Sequence, residues 1–407
     1  MLKKIEYIGG MQERGIKYDW HFIRKEMKKI GIPVEFYSPV TAPLETAQWF
    51  VEVSERAVGK TNGWLLLGLV MYWNYGTVTI YTRSRKEMIT PKNSISLYHV
   101  IKANKYIERI TGGKWNSIVY EKRKWILCNV DESGIIKEKD LTYCTRMVSI
   151  DSAGDLKSSF NEPTGDLLIY DEFIPISERY SIPNEFVSLV DLCSTAFRLR
   201  ESPKIAMLAN NINKYSQYFN DLEIAERISE MQISESCTHT TEKGTKIYIE
   251  FIGTPKKYKT KKTTWNRLFA GFNKPELASI TGESTWAVHC YQHIPELQEK
   301  QEVKTLYNNI YVYYQNKFVR LEVMQHSDLG ICIYAHWASR VYEDSIILTC
   351  EQMTDPRFIY GNAQGTKLGK FIDKMVKERK IYFASNDVGT FIEGYFTKCG
   401  LYGKIFF

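Results

Sequence analysis

Trp49-Phe50-Val51-Glu52-Val53-Ser54-Glu55-Arg56-Ala57-Val58-Gly59-Lys60-Thr61 is the stretch from which the fold is read. Its apolar, β-branched start predicts a strand, which runs into a turn closed by Gly59-Lys60-Thr61. Such a turn binds phosphate when its N–H groups and the N-terminus of the next helix converge on phosphate oxygens. The lysine supplies a point charge at the β- and γ-phosphates, and the hydroxyl ligates Mg²⁺. Against the pattern G-x-x-x-x-G-K-[ST], Gly59, Lys60 and Thr61 fit, Arg56, Ala57 and Val58 fill the loop, and Ser54 stands where the first glycine belongs. Downstream, Trp64 to Met71 is apolar on every helical face, as a buried central helix requires, and Gly76 stops it. The competing reading is a surface turn ahead of a core helix.

A second constellation answers the first. Leu167-Leu168-Ile169-Tyr170-Asp171-Glu172 reads as an apolar strand ending in two acids. Beside a phosphate-binding turn, Asp171 is expected to hold the Mg²⁺ shell and Glu172 to orient and deprotonate the attacking water. Lys204 to Ala209 is another buried strand, and Asn210 at its end suits either a γ-phosphate sensor or a plain turn. Thr77 to Thr82 reads as a strand delivering Arg83, Arg85 and Lys86 to its carboxyl end, where α/β sheets place their ligands. A solvated loop is the alternative there. Val148 to Ser159, with Lys157, reads as an exposed polar loop.

The 407 residues allow about two or three domains of ordinary size. With 44% hydrophobic and 25% charged residues the chain can bury a sizeable core. The longest apolar run is too short to span a bilayer and the N-terminus lacks a signal peptide, so a cytosolic protein without membrane attachment is expected. The 8 cysteines show no C-x-x-C pair or zinc spacing, which reads as reduced structural thiols. A net charge of +7 permits a polyanionic partner without requiring one.

Before Glu45 there is one helix, Tyr18 to Lys29, read as an embellishment. Tyr98 to Ile110 predicts an amphipathic helix, and Ser117 to Ile136 a hairpin turning near Asp131-Gly134. A helix is expected to start at Ser181-Ile182-Pro183-Asn184-Glu185, with its apolar positions Phe186, Val190, Cys193 and Phe197 on one face. Ser234 to Lys262 reads as a boundary, with Pro255 to Lys262 a basic run that either meets phosphates or is a solvated linker. Beyond it come a helical piece around Trp265 to Phe272, strands at Asn309–Gln315, Phe318–Met324, Gly330–His336 and Ile346–Cys350, a helix at Lys367–Arg379, a short strand Ile381–Phe383 and a last helix. The expected divisions are 1–44 helical extension, 45–235 nucleotide-binding α/β domain, 236–290 linker with a small helical piece, and 291–407 a second α/β domain.

Asp171-Glu172-Phe173-Ile174, Ile182-Pro183-Asn184-Glu185, Phe197-Arg198-x-Arg200-Glu201 and Leu208-Ala209-Asn210 together resemble one group, the DNA-packaging ATPases of small podovirus-type tailed phages of Gram-positive hosts. Arg56 matches an arginine those enzymes carry inside the loop. The likeness covers Val51 to Asn210 and, more weakly, Trp265 to the end. It leaves the first forty-odd residues and 117–139 without a counterpart. The resemblance implies an ASCE-type P-loop ATPase with a central, mostly parallel sheet, followed by an RNase H-like domain. It implies ATP and Mg²⁺ as cofactors and double-stranded DNA as the translocated partner. It further implies a homopentameric ring at the portal of a preformed capsid, in the host cytoplasm. It makes Arg198 a finger reaching into the neighbouring subunit's site, Arg56 a sensor within its own subunit, Lys157 a contact to the DNA backbone and Lys86 a cation linked to nucleotide exchange.

Two-metal nuclease chemistry needs several carboxylates on adjacent strands. The strand Asn309 to Gln315 has none, so the second domain is expected to lack it. Two rivals stay open: a terminase whose nuclease works through acids such as Glu322 or Asp328, and a nucleic-acid-binding scaffold whose altered P-loop does not hydrolyse ATP. Whether a structural RNA joins the assembly is not readable from the sequence.

Overall fold

The computed structural model describes residues 17–34, 36–55, 58–152, 165–174, 182, 185–197, 203–210, 216–253, 291–294, 303–361 and 365–399. The chain divides into two compact units, residues 1–214 with 221–288, and residues 215–220 with 289–407.

The first unit is built on β1 (Trp49–Ser54), β2 (Val78–Arg83), β3 (Ser117–Glu121), β4 (Lys124–Val130), β5 (Ile136–Lys139), β6 (Thr145–Ser149), β7 (Gly165–Asp171), β8 (Lys204–Asn210), β9 (Ser236–Thr240) and β10 (Lys246–Ile252). They form one 10-stranded sheet in the order β3-β4-β6-β2-β7-β8-β1-β10-β9, with β5 also paired to β4. From β6 to β10 every neighbouring pair is parallel, and β9, β3, β4 and β5 add antiparallel flanks. Parallel strands are buried on both faces, which is why β1, β7 and β8 read as continuous apolar runs rather than as alternation.

Helix α1 (Trp20–Lys29) begins at Asp19, whose carboxylate accepts the Phe22 N–H. Helix α2 (Lys60–Tyr75) is buried over most of its circumference and ends at Gly76 in the left-handed conformation. Ile23, Met27, Ile30, Ala42 and Leu44 join Trp64, Leu65 and Leu67 in one core. Residues 23–44 therefore contribute to this unit's interior.

Three expectations need correction. Tyr98 to Ile110 is not one helix: Lys105, at φ +55, breaks it into α4 (His99–Ala103) and α5 (Tyr106–Thr111), preceded by the single turn α3 (Pro91–Ser94). Ser117 to Ile136 is not one hairpin, because the chain already reverses at Lys122-Arg123 between β3 and β4 and reverses again at Asp131-Gly134 into β5. Residues 236–252, expected within a linker, are strands β9 and β10, with β10 parallel to β1. In α6 (Glu185–Phe197), Leu189, Leu192, Cys193 and Ala196 are buried while Val190 is exposed. Residues 254–290, with the basic run and the Trp265 segment, lie outside the described residues.

The short helices α7 (Gln217–Asp221) and α8 (Ala225–Glu230) follow β8. The second unit holds β11 (Val303–Tyr314), β12 (Lys317–His326), β13 (Gly330–Trp337), β14 (Ile346–Thr349), β15 (Phe358–Tyr360) and β16 (Ile381–Phe383) in the order β15-β14-β11-β12-β13-β16. The pairs β11–β12 and β12–β13 are antiparallel, and the outer pairs are parallel. Helices α9 (Lys367–Lys377) and α10 (Asn386–Lys398) contribute Ile372, Met375, Val376, Val388, Ile392 and Tyr395 to a core with Val312, Leu321 and Ala335. Strands β12, β13, β14 and β16 and helix α9 lie within a few residues of their expected positions, whereas β11 begins six residues before Asn309 and β15 was not expected.

Among the described residues no helix is long and apolar enough to cross a membrane.

Candidate nucleotide site

The site lies at the carboxyl ends of β1, β8, β7 and β2, four consecutive strands of the parallel sheet. β8 stands between β1 and β7, and the registers Ser54↔Asn210 and Asp171↔Leu208 bring the loop, the amide and the acids to one edge.

After β1 the chain turns through Gly59 at φ +92, a conformation that favours glycine, and α2 begins at Lys60. Lys60 is largely buried, and its Nζ donates a hydrogen bond to Ser54 Oγ. The serine in place of the first glycine thus has a definite role: its hydroxyl receives the lysine ammonium. Ser54 Oγ in turn donates to the Glu55 carbonyl at 2.6 Å.

Thr61, in the first turn of α2, places Oγ1 3.2 Å from both Asp171 Oδ1 and Asp171 Oδ2. Asp171 also accepts from Tyr81 Oη at 2.8 Å and from the Glu172 backbone N–H at 3.1 Å. Burial pushes its carboxyl above the ordinary range. The nearby Arg83 and the Tyr81 hydrogen bond oppose that shift. Burial works against the charge of Arg83 itself, but Tyr81, Glu172 and Asp171 outweigh it and hold the guanidinium above its ordinary value.

Glu172 leaves the strand at φ +54, and its half-exposed side chain is ion-paired with Arg83 Nη2. Sequence reading placed Arg83 among cations that could meet phosphate; it is instead the partner of the second acid. Tyr81 and Arg83, two apart on β2, share a face, but only the pairing of β2 with β7 brings them to its acids. Lys86 is exposed and donates its backbone N–H to Asp151 Oδ2 at 3.1 Å.

The N-terminal segment supplies a brace that sequence reading missed. The Tyr37 backbone N–H donates to the Val58 carbonyl at 2.8 Å, and the Tyr37 hydroxyl donates to fully buried Glu52 on β1. A Cβ at Gly59 would come within 3.3 Å of the Phe36 ring. No local pattern marks this contact, since it depends on a loop folding back across the sheet edge.

Ser54, Val58, Gly59, Lys60, Thr61, Asp171, Glu172 and Asn210 are thus gathered at one sheet edge. Arg56, Ala57, Lys157 and Arg198 lie outside the described residues. The pairing of hydroxyl and carboxylate at Thr61 and Asp171 is a donor set suited to a hard cation such as Mg²⁺. Lys60 at the start of a buried helix suits a phosphate.

No protein-family model and no curated protein matches the chain. Solved structures do. A structure described as the Phi-28 gp11 DNA packaging motor aligns over 91% of this chain and 100% of its own, with TM-score 0.59 and 18% identity. The bacteriophage Phi-29 viral genome packaging motor assembly aligns over 89% of this chain and 99% of its own, with TM-score 0.53 and 17% identity. Across nearly its whole length, the chain shares the fold of phage packaging-motor proteins.

Proposed function

We propose that this protein is an ATPase whose hydrolysis drives double-stranded DNA into a preformed viral capsid. The observation that carries the reading is the approach of Thr61 to Asp171, with Lys60 and Glu172 flanking it, at one end of a parallel sheet. In this reading Lys60 leaves Ser54 to meet the β- and γ-phosphates, and Ser54, Arg56, Ala57, Val58 and Gly59 line the phosphate loop. Thr61 and Asp171 hold Mg²⁺, whose charge offsets that of the phosphates and of buried Asp171. Glu172 orients the attacking water and accepts its proton once released from Arg83, and Asn210 reports the γ-phosphate.

Arg198 acts on a neighbouring subunit's nucleotide, so the active form is a ring, a homopentamer seated on the portal. Lys157 touches the DNA backbone. The second unit is an RNase H-like domain without nuclease chemistry; its order β13-β12-β11-β14-β15, antiparallel through β11 and parallel beyond, supports the RNase H-like fold.

The test is ATP turnover measured against protein concentration, with and without double-stranded DNA. Turnover per chain should rise with concentration and with DNA, and Glu172→Gln should abolish it. Arg198→Ala should retain ATP binding and lose roughly 10³–10⁵ of the stimulated rate. Wild-type turnover no higher than that of Glu172→Gln would leave a binding scaffold as the better account.

A further inference from the structure

We propose that the Lys122-Arg123 turn is a contact for the phosphate backbone of double-stranded DNA; the inference rests on the translocase reading and adds a site to it. The turn lies in 117–139, the stretch that the family resemblance leaves without a counterpart. Glu121 pairs with Lys124 across β3 and β4, so Lys122 and Arg123 alone form a two-residue hairpin loop. Both are left-handed, with φ +47 and +64. That conformation is the one Asn-Gly or Asp-Gly adopts readily, and side chains with a Cβ adopt it at a cost.

Two further cations stand beside the turn. Lys124 directly opposes Arg146 on β6, so both leave the same face of adjacent strands. The Lys124 ammonium stands over the Tyr143 ring, 4.1 Å from its centroid. Lys122 and Arg123 are exposed, and neither side chain makes an ion pair or hydrogen bond among the described residues. Packing therefore gives no reason for Lys-Arg at this turn. A polyanionic ligand does.

The turn is also fixed in place. The Arg123 carbonyl accepts the Met147 N–H at 2.8 Å, and Met147 is in register with Tyr81, whose hydroxyl reaches Asp171. The cations therefore sit on the same end of the sheet as the nucleotide site. From β4 they are two strands from β2, the near edge of that site, and five from β1, about 10 and 24 Å at ordinary strand spacing. They thus flank the nucleotide site on the same sheet edge, where a force-generating sheet can hold a duplex.

The test uses the full chain and a short fluorescent DNA duplex, titrated from 50 to 200 mM salt, with Lys122→Asn/Arg123→Gly beside wild type. Asn-Gly suits this turn, so the double variant should melt at or above the wild-type temperature. Losing two phosphate contacts should lower the salt slope by about 1.8, so that wild type loses roughly 12-fold more affinity than the variant across that range. A variant with unchanged affinity and slope overturns the inference while leaving the translocase reading in place. A wild type that binds no duplex overturns both. Loss of binding to a structured RNA with duplex binding retained assigns the turn to RNA and overturns the proposal as stated.

Discussion

The Thr61 hydroxyl lies 3.2 Å from both carboxylate oxygens of Asp171, joining the start of α2 to the end of β7 across a strand that belongs to neither. In the proposed ATPase this contact sets the spacing at which a cation and its phosphates are held, and it leads to the most direct prediction. Asp171→Asn keeps hydrogen-bonding capacity and removes the charge. Mg²⁺-dependent ATP turnover should fall by about 10–100-fold or more, while nucleotide binding without Mg²⁺ changes little. Isothermal titration with and without the cation checks this, and equal losses in both conditions would argue against a metal role.

Arg83 occupies the Glu172 carboxylate in an ion pair, so in the proposed ATPase the acid leaves that pair before it can orient water. Arg83→Gln should therefore raise DNA-independent turnover several-fold and reduce the stimulation by DNA. A fall in turnover at unchanged ATP affinity would make Arg83 an assistant of Glu172 and not its restraint.

Glu52 makes stability depend on pH. It is fully buried on β1 beside Glu250 of β10, and burial first, then Glu250, raises its carboxyl to about 8 against the pull of Tyr37. Between the ordinary carboxylate range and that value the folded protein holds a proton that the unfolded chain has released. Stability is therefore full at low pH and is lost as pH rises, at up to about 1.4 kcal/mol per unit. Wild type should melt higher at pH 6 than at pH 9, and Glu52→Gln should flatten the difference. Parallel pH profiles for the two proteins would remove Glu52 as the source.

Gly68 is a packing position, though it lies in a helix where alanine is intrinsically better by about 1 kcal/mol. A Cβ there would fall 2.2 Å from Thr79 Oγ1 on β2, and β-branched Thr79 has little rotamer freedom to yield. Gly68→Ala should destabilise by about 1–3 kcal/mol. Gly68→Ala/Thr79→Ala should recover most of that loss, and denaturant unfolding of the four proteins in the cycle measures the coupling.

The local pattern around Trp49–Thr61, the apolar Lys60–Tyr75 helix and the acid-ended Gly165–Asp171 strand were legible in the sequence because each is set by neighbours in the chain: continuous apolar runs, a glycine at positive φ, and a cap. In the second unit, strands around Val312, Leu321 and Ile333 were legible for the same reason. In β12 buried and half-exposed residues alternate, and in β11 Ile310-Tyr311-Val312 is a continuous buried run, each a one-dimensional signal.

Tertiary structure decided what depends on strand order. That β8 separates β1 from β7, that Arg83 meets Glu172, and that β9 and β10 extend the sheet all follow from pairings between segments far apart in the chain. The Tyr37 brace on Val58 has the same origin. Side-chain periodicity says which face of a strand is buried, and it carries no information about which strand lies alongside.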